Sequence, residues 1–241
     1  MARARYASTI VLVRPDEHGR FEILLTRRAP EMRFLGGFYV FPGGTVCESD
    51  YEPKMLQRCR GVSAGDARKI LGNRHDEATA LGHWVAGIRE LFEEVGVLLC
   101  VTESGEPIDP RQPARSQRFE ESRQAIVRER LDFGTFLQSE GLYCDLSRAI
   151  YFFHRVTPEF YAMRFDTRFY IAPLPLYQTP LLRSEEVADS LWIKPEQATA
   201  RAYREDFPLL PPTTTVLDSL ARIASWAKLQ EKFGFSELNF V

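Results

Sequence analysis

Hydrophobic and polar positions along the chain fall into blocks of different period. Tyr6 to Arg14 and Phe21 to Arg28 are rich in β-branched and apolar residues, and Pro15-Asp16-Glu17-His18-Gly19 between them is a natural turn. This opening predicts a β-hairpin. Next comes Gly36-Gly37-Phe38-Tyr39-Val40-Phe41-Pro42-Gly43-Gly44. Two glycine pairs around an aromatic run mark backbone that turns tightly or approaches something closely. Residues 51 to about 80 are polar and mixed in sign, with weak helical stretches punctuated by Gly61, Gly65 and Gly72. From Leu81 the pattern sharpens. Leu81, Trp84, Val85, Ile88, Leu91, Phe92 and Val95 form the apolar stripe of an α-helix, and Gly96 is its stop signal.

The second half alternates in the same way. A Pro-rich loop over 102–115 leads into a charged stretch from Ser116 to Glu140 whose apolar positions fit a helix. Strand-like segments follow at Ala149 to Val156, Phe169 to Pro173 and Ser190 to Ile193. Lys194-Pro195-Glu196 opens a short helix, and Leu210-Pro211-Pro212-Thr213 introduces a last helix to about Lys232. No internal repeat interrupts this order. Strands interleaved with helices predict a mixed α/β fold.

Composition narrows the function. The 241 residues hold 31 Lys+Arg and 33 Asp+Glu, a net charge of −2, with 44% hydrophobic residues. Near-neutral charge argues against a protein that coats nucleic acid or an anionic membrane. No apolar run approaches the ~20 residues of a membrane helix. Cys47, Cys59, Cys100 and Cys144 are scattered and form no CxxC pair, so a zinc site has little support. The opening MARARYAS runs straight into the first strand without a signal-peptide layout, and Leu-Asn-Phe-Val at the end is no peroxisomal address. A cytoplasmic setting is the expectation.

Arg89-Glu90-Leu91-Phe92-Glu93-Glu94-Val95-Gly96-Val97 carries the most chemistry. At 100° per residue, Glu93 and Glu94 lie about −60° and +40° from Glu90, so the three acids share the face opposite the apolar stripe. Glu90 repels both others at i,i+3 and i,i+4, each at roughly 0.2–0.5 kcal/mol. Glu93 and Glu94 also sit in the last turn, where the helix dipole disfavours anions. A hard divalent cation with oxygen ligands would make the cluster tolerable. Earlier on that face Ala86 and Gly87 are too small to fill the space above the acids, leaving room for something else.

Arg-Glu-x-x-Glu-Glu-x-Gly resembles the second half of the Nudix box, found in hydrolases of nucleoside diphosphates linked to another moiety. The first half would be a glycine, five residues and Glu; here Gly44 is followed at that distance by the shorter Asp50. Between Asp50 and Arg89 lie 38 residues, Tyr51 to Ile88, where the box has seven, so about 31 extra residues split it. The resemblance implies that Glu90, Glu93 and Glu94, with the Gly44 carbonyl, hold Mg²⁺ or Mn²⁺, and that Arg89 orients Glu90. It leaves the general base open among Glu90, Glu185 and Glu186. The implied fold is of the α/β (α+β) class: a Nudix-type α/β/α sandwich with a mixed sheet and helical insertions. We expect one domain over 1–241, elaborated by helical insertions at about 51–82 and 102–141.

A second resemblance lies upstream. Leu24-Leu25-Thr26-Arg27-Arg28-Ala29, then Arg33, Gly37 and Phe41-Pro42-Gly43-Gly44 at fixed spacing, is similar to the signature of the coenzyme A diphosphatases. The long insertion, Arg164-Phe165-Asp166-Thr167-Arg168-Phe169 and Leu210-Pro211-Pro212-Thr213 look like the branch containing the peroxisomal enzymes. Coenzyme A carries a 3′-phosphate besides its pyrophosphate, so its pocket needs extra cations. Arg27, Arg28 and Arg33 are the candidates, with Gly37 and Arg168 as further binding positions. Strand alternation allows only one of Arg27 and Arg28 into a given cleft. The expected partner is a small molecule, not nucleic acid or membrane, and such enzymes are often homodimers. NADH, ADP-ribose or another nucleoside diphosphate derivative is the alternative substrate, and a non-catalytic nucleotide- or RNA-binding module the alternative class. The complete set of acids disfavours a pure binder.

Overall fold

The computed structural model describes residues 3–32, 35–203 and 207–235. The opening hairpin forms as its turn chemistry requires. Strands β1 (Arg5–Pro15) and β2 (Phe21–Arg28) pair antiparallel, but only over Val13–Pro15 and Phe21–Ile23 before they splay apart. The glycine-aromatic run fills the wedge. Its strands β3 (Tyr39–Val40) and β4 (Gly43–Thr45) pair with β2 and β1 respectively, so Gly43-Gly44 belongs to the sheet.

The rest of the chain completes and covers that sheet. Residues 51–82, expected to be helical, hold helices α1 (Pro53–Leu56) and α2 (Ala64–Ile70), but also strand β5 (Cys59–Arg60) and the first turns of α3 (Glu77–Val95). Helix α3 starts where the Asp76 carboxylate accepts the Thr79 N–H, and ends at Gly96 in the left-handed region, φ +72°. Strand β6 (Cys100–Thr102) precedes helices α4 (Pro113–Val127) and α5 (Phe133–Ser139), and β7 (Leu142–Asp145) follows them. The charged stretch 116–140 is thus two helices. Glu129 at φ +53° breaks the first, and Asp132 caps the second by accepting the Thr135 N–H. Strands β5, β7 and β6 form a small second sheet in that order.

Strands β8 (Ile150–Val156), β9 (Phe165–Pro173) and β10 (Val187–Ile193) join the main sheet, whose order is β10-β2-β1-β9-β8. Strand β9 begins four residues before the apolar run that announced it. It runs parallel to β1 over nine residue pairs, while its neighbour β8 is antiparallel, so the sheet is mixed. Helix α6 (Pro195–Ala202) follows β10. The last helix divides into α7 (Pro211–Ala221) and α8 (Trp226–Phe233), because Ser225 caps a new helix whose Trp226 N–H bonds the Gly19 carbonyl in the β1–β2 turn.

Three layers result. On one face Ile10, Leu12, Leu24 and Tyr170 pack against Ile88, Leu91 and Phe92 of α3, in a core that also takes in α1, α5 and the small sheet. On the other, Val11, Ile23, Leu25 and Ile171 pack against Val216, Leu217 and Leu220 of α7 and Leu229 of α8. This is the α/β/α arrangement expected from the sequence. Among the described residues no helix is long and apolar enough to cross a membrane.

Candidate active site

Helix α3 delivers its acids to one place. Glu90, Glu93 and Glu94 line a pocket of about 230 Å³ together with Arg123, Gln124, Ser184, Glu185 and Glu186. The face is not solvated as a surface helix would be. Glu94 is only 6% exposed, and its Oε2 has no hydrogen-bond partner among the described residues. Burial pushes its carboxyl well above the usual carboxylate range, Glu90 adds to this, and Arg28 and the Gly43 N–H oppose it. Burial likewise raises Glu90 to about 7 against the pull of Arg89, and raises Glu93 in the same direction.

Arg89 organises the cluster from below. Its Nε donates to Asp50 Oδ1 at 2.7 Å and its Nη2 to Asp50 Oδ2 at 3.1 Å and the Thr45 carbonyl at 3.0 Å. Its Nη1 donates to Glu90 Oε1 at 2.9 Å and Glu93 Oε1 at 3.0 Å. A guanidinium has five N–H donors. All five are committed within the protein, so Arg89 positions acids and has none left over for a ligand.

Gly87 and Ala86 do not leave room above the acids. A side chain at Gly87 would meet Ile10 Cδ1 at 3.0 Å and Ser8 Cβ at 3.6 Å, so strand β1 fills the space assigned to something else. The small residues there permit close helix–sheet packing. Gly44 is different: a methyl group added to it would overlap the Glu90 carboxylate, so its lack of a side chain gives that acid its place.

On the other side of β4 a larger cleft of about 500 Å³ opens between the main sheet, the β8–β9 turn and the start of α7. Gly43 and Gly44 are lining residues of the cleft, and Gly44 abuts the Glu90 carboxylate while the Gly43 N–H lowers the Glu94 pKa. Pocket and cleft therefore meet at the two glycines. Arg28 lines the cleft. Arg27 turns away, donating Nε to the Gly37 carbonyl at 3.2 Å and lying over the Tyr39 ring, as alternation demands. Gly37, at φ +82°, closes a turn by donating to the Arg28 carbonyl, so its role here is conformational and it is not a lining residue.

Other expectations divide. In 164–169, Phe165, Thr167 and Phe169 line the cleft, as do Leu210–Thr213. Arg168 points to the opposite face: it is 2% exposed, ion-paired with Asp166, and its Nη2 lies 3.0 Å from His75 Nε2. Its expected binding role is corrected: strand alternation puts it with Tyr170 on the α3 face, while Thr167 and Phe169 face the cleft. Glu185 is 62% exposed in its side chain and paired with Arg128 at 2.7 Å, whereas the charge of Glu186 acts on Glu93 and Glu94. Arg33 lies outside the described residues. Sequence reasoning missed Arg123, which donates to the Glu93 carbonyl at 2.7 Å, and Arg155 on the cleft. Each lies at least 29 residues from the acids, with no local motif to signal it.

Residues 4–220 match the family described as the NUDT19 Nudix domain. The chain belongs to the Nudix family. It is 28% identical over 212 residues to nudix hydrolase 7 of Caenorhabditis elegans, covering 88% of this chain and 59% of that protein. It is 27% identical over 247 residues to the acyl-coenzyme A diphosphatase NUDT19 of Gallus gallus, covering 90% of this chain and 64% of that protein. The chain thus spans about three fifths of the length of these curated relatives. Among solved structures, a Nudix hydrolase from Alicyclobacillus acidocaldarius superposes with a TM-score of 0.75 at 28% identity, over 96% of this chain and 97% of that one.

Nudix hydrolases generally use divalent cations. The residues present fit such an ion. Asp50, Glu90, Glu93 and Glu94 bring four carboxyl groups around one fully committed arginine, and one buried carboxylate oxygen lacks a partner. These are hard oxygen donors in charge excess. Among the described residues no three acidic, histidine or cysteine side chains already stand at ligating geometry, since Arg89 draws Glu90 and Glu93 toward itself.

Proposed function

We propose that the chain is a divalent-metal-dependent hydrolase of coenzyme A or acyl-coenzyme A, releasing (acyl-)phosphopantetheine and adenosine 3′,5′-bisphosphate. The observation that carries this reading is the junction at Gly43-Gly44, where a buried acid cluster meets a cleft lined by arginines and no acid. The similarity to the chicken acyl-coenzyme A diphosphatase supports the substrate class.

Glu90, Glu93 and Glu94, with the Gly44 carbonyl, would hold Mg²⁺ or Mn²⁺, which would supply charge neutralisation at the pyrophosphate and activation of the attacking water. Arg89 fixes Glu90 and Glu93 in one orientation through its Nη1. Glu90, raised to about 7 by burial, is the first choice for the base that takes the water's proton. Glu186 is the second, being free of the pairing that ties Glu185 to Arg128. Arg28 offers the phosphates a cation on the cleft side. Water oxygen bonds to one phosphorus as the bridging P–O bond breaks.

Coenzyme A, acyl-coenzyme A, NADH and ADP-ribose, each assayed with Mg²⁺ and Mn²⁺ and with products resolved, test the reading. Turnover of the coenzyme A substrates should exceed that of the others. In the same assay Glu94→Gln should lose turnover by orders of magnitude. It should also melt no lower than wild type without metal and lose the rise in Tm that the metal gives wild type. Near wild-type turnover in Glu94→Gln would remove the carboxylate from the mechanism.

A further inference from the structure

The cleft has a chemistry of its own, distinct from the acid pocket. Four of its lining residues form one row across the sheet: Arg155 of β8 pairs with Thr167 of β9, Thr167 with Ala7 of β1, and Ala7 with Thr45 of β4. Thr45 is next to Gly44, where cleft and acids meet. Neighbouring strands lie about 4.8 Å apart, so three spacings put the Arg155 backbone about 14 Å from that junction. Arg155 is exposed, and no acid pairs with it among the described residues.

Charge reverses sign across the site. The pocket beside Glu90 carries five glutamates, whereas the cleft carries Arg28 near the junction, Arg155 at its far end, and no acid. The turn between β8 and β9 lines it with Phe160 and Tyr161, whose ring centroids are 4.6 Å apart. Phe160 is 82% exposed and Tyr161 51%, so the pair presents aromatic surface to solvent. Thr9, Thr45 and Thr167 line the cleft between Phe165, Phe169 and other apolar side chains.

Cations at both ends, hydroxyl-bearing side chains between them and an open aromatic pair suit a ligand with two anionic groups on a hydroxylated body that also carries a flat aromatic group. A fatty acyl chain would use the apolar and aromatic wall, but it gains nothing from a cation at each end. Resting on the function proposed above, we infer that the cleft takes the 3′-phosphoadenosine half of coenzyme A. The base lies against Phe160 and Tyr161, and Arg155 reads the 3′-phosphate. Arg155 is then a specificity-determining residue that no motif marks, set in place by strand register alone.

Two measurements on the full chain test this. The first is kcat/KM for coenzyme A and dephospho-coenzyme A in wild type, Arg155→Ala and Arg155→Lys. The coenzyme A preference should fall about tenfold or more in Arg155→Ala, with part of it kept by Arg155→Lys. Equal losses on both substrates would overturn the inference while leaving the diphosphatase reading intact. The second is metal-free calorimetric titration with adenosine 3′,5′-bisphosphate and with adenosine 5′-monophosphate. Wild type should prefer the bisphosphate, and Arg155→Ala should lose that preference. If wild type hydrolyses no coenzyme A, the diphosphatase reading fails, and this titration still decides the subsite; no preference in wild type overturns it. A Phe160→Ala variant whose losses grow with acyl-chain length, and not with removal of the base, would assign the cleft to the acyl chain instead.

Discussion

Arg89 and Asp50, 39 residues apart in sequence, hold each other through two hydrogen bonds, Nε to Oδ1 at 2.7 Å and Nη2 to Oδ2 at 3.1 Å. The insertion that separates them in the chain does not separate them in space. Asp50 is 1% exposed and is itself fixed by the Cys47 N–H, which donates to its Oδ2 at 2.8 Å. Its carboxylate anchors the arginine that bonds Glu90 and Glu93, so the shorter acid reaches the cluster across the insertion.

Removing that anchor should be costly. Asp50→Ala leaves the Arg89 guanidinium buried with one strong partner fewer, an expected loss of about 3–5 kcal/mol. Asp50→Asn keeps the shape and loses the charge, so its loss should be smaller. Denaturant unfolding of the two variants measures both, and a loss below about 1 kcal/mol in Asp50→Ala would show that Arg89 does not depend on the pair.

Gly44→Ala tests the close approach of β4 to the acids. The added methyl group overlaps the Glu90 carboxylate, and β1 pairing at Ser8 keeps the backbone from retreating. The expected cost is about 1–3 kcal/mol together with a sharp fall in turnover, as Glu90 is displaced. Wild-type activity in this variant would mean that Glu90 can swing aside freely.

His83 should give the fold an acid limb. It is fully buried on α3, with Nδ1 3.2 Å from Ser8 Oγ and no partner for Nε2 among the described residues. Burial, followed by the charges of Arg168 and His75, lowers its pKa from 6.5 to about 3, with Asp166 opposing. Between those values the unfolded chain takes up a proton that the folded chain refuses. Stability is therefore complete above about 6.5 and falls as pH drops toward 3, by at most about 1.4 kcal/mol per unit. Melting temperatures from pH 7.5 to 4.5 should fall less steeply in His83→Gln than in wild type. Parallel curves would assign the acid limb to other groups.

The parts of the fold legible in the sequence were those with a local period. The apolar stripe from Leu81 to Val95, its stop at Gly96 and the common face of Glu90, Glu93 and Glu94 all follow from helical geometry. The opening hairpin follows from its turn residues. Where strands are two or three residues long, as in β5 and β6, no period exists to be read. The break between α7 and α8 was equally hidden, since Ser225 acts as a cap only because Trp226 docks on the β1–β2 turn.

By itself the sequence determined which side chains share a face: three acids on one turn-and-a-half of helix, and Arg27 and Arg28 on opposite sides of a strand. Only the tertiary structure decided their surroundings. Gly87 turned out to face Ile10 and Ser8, Arg168 to be locked with Asp166 and His75, and Arg155 to line the cleft. The reason is physical. Helical and strand periods follow from the backbone geometry of neighbouring residues, whereas burial, charge balance and cleft walls depend on which distant strands pair. In this chain the pairing of Arg5–Val13 with Phe165–Pro173 brings the β8–β9 turn to the same sheet as the glycines beside the acids.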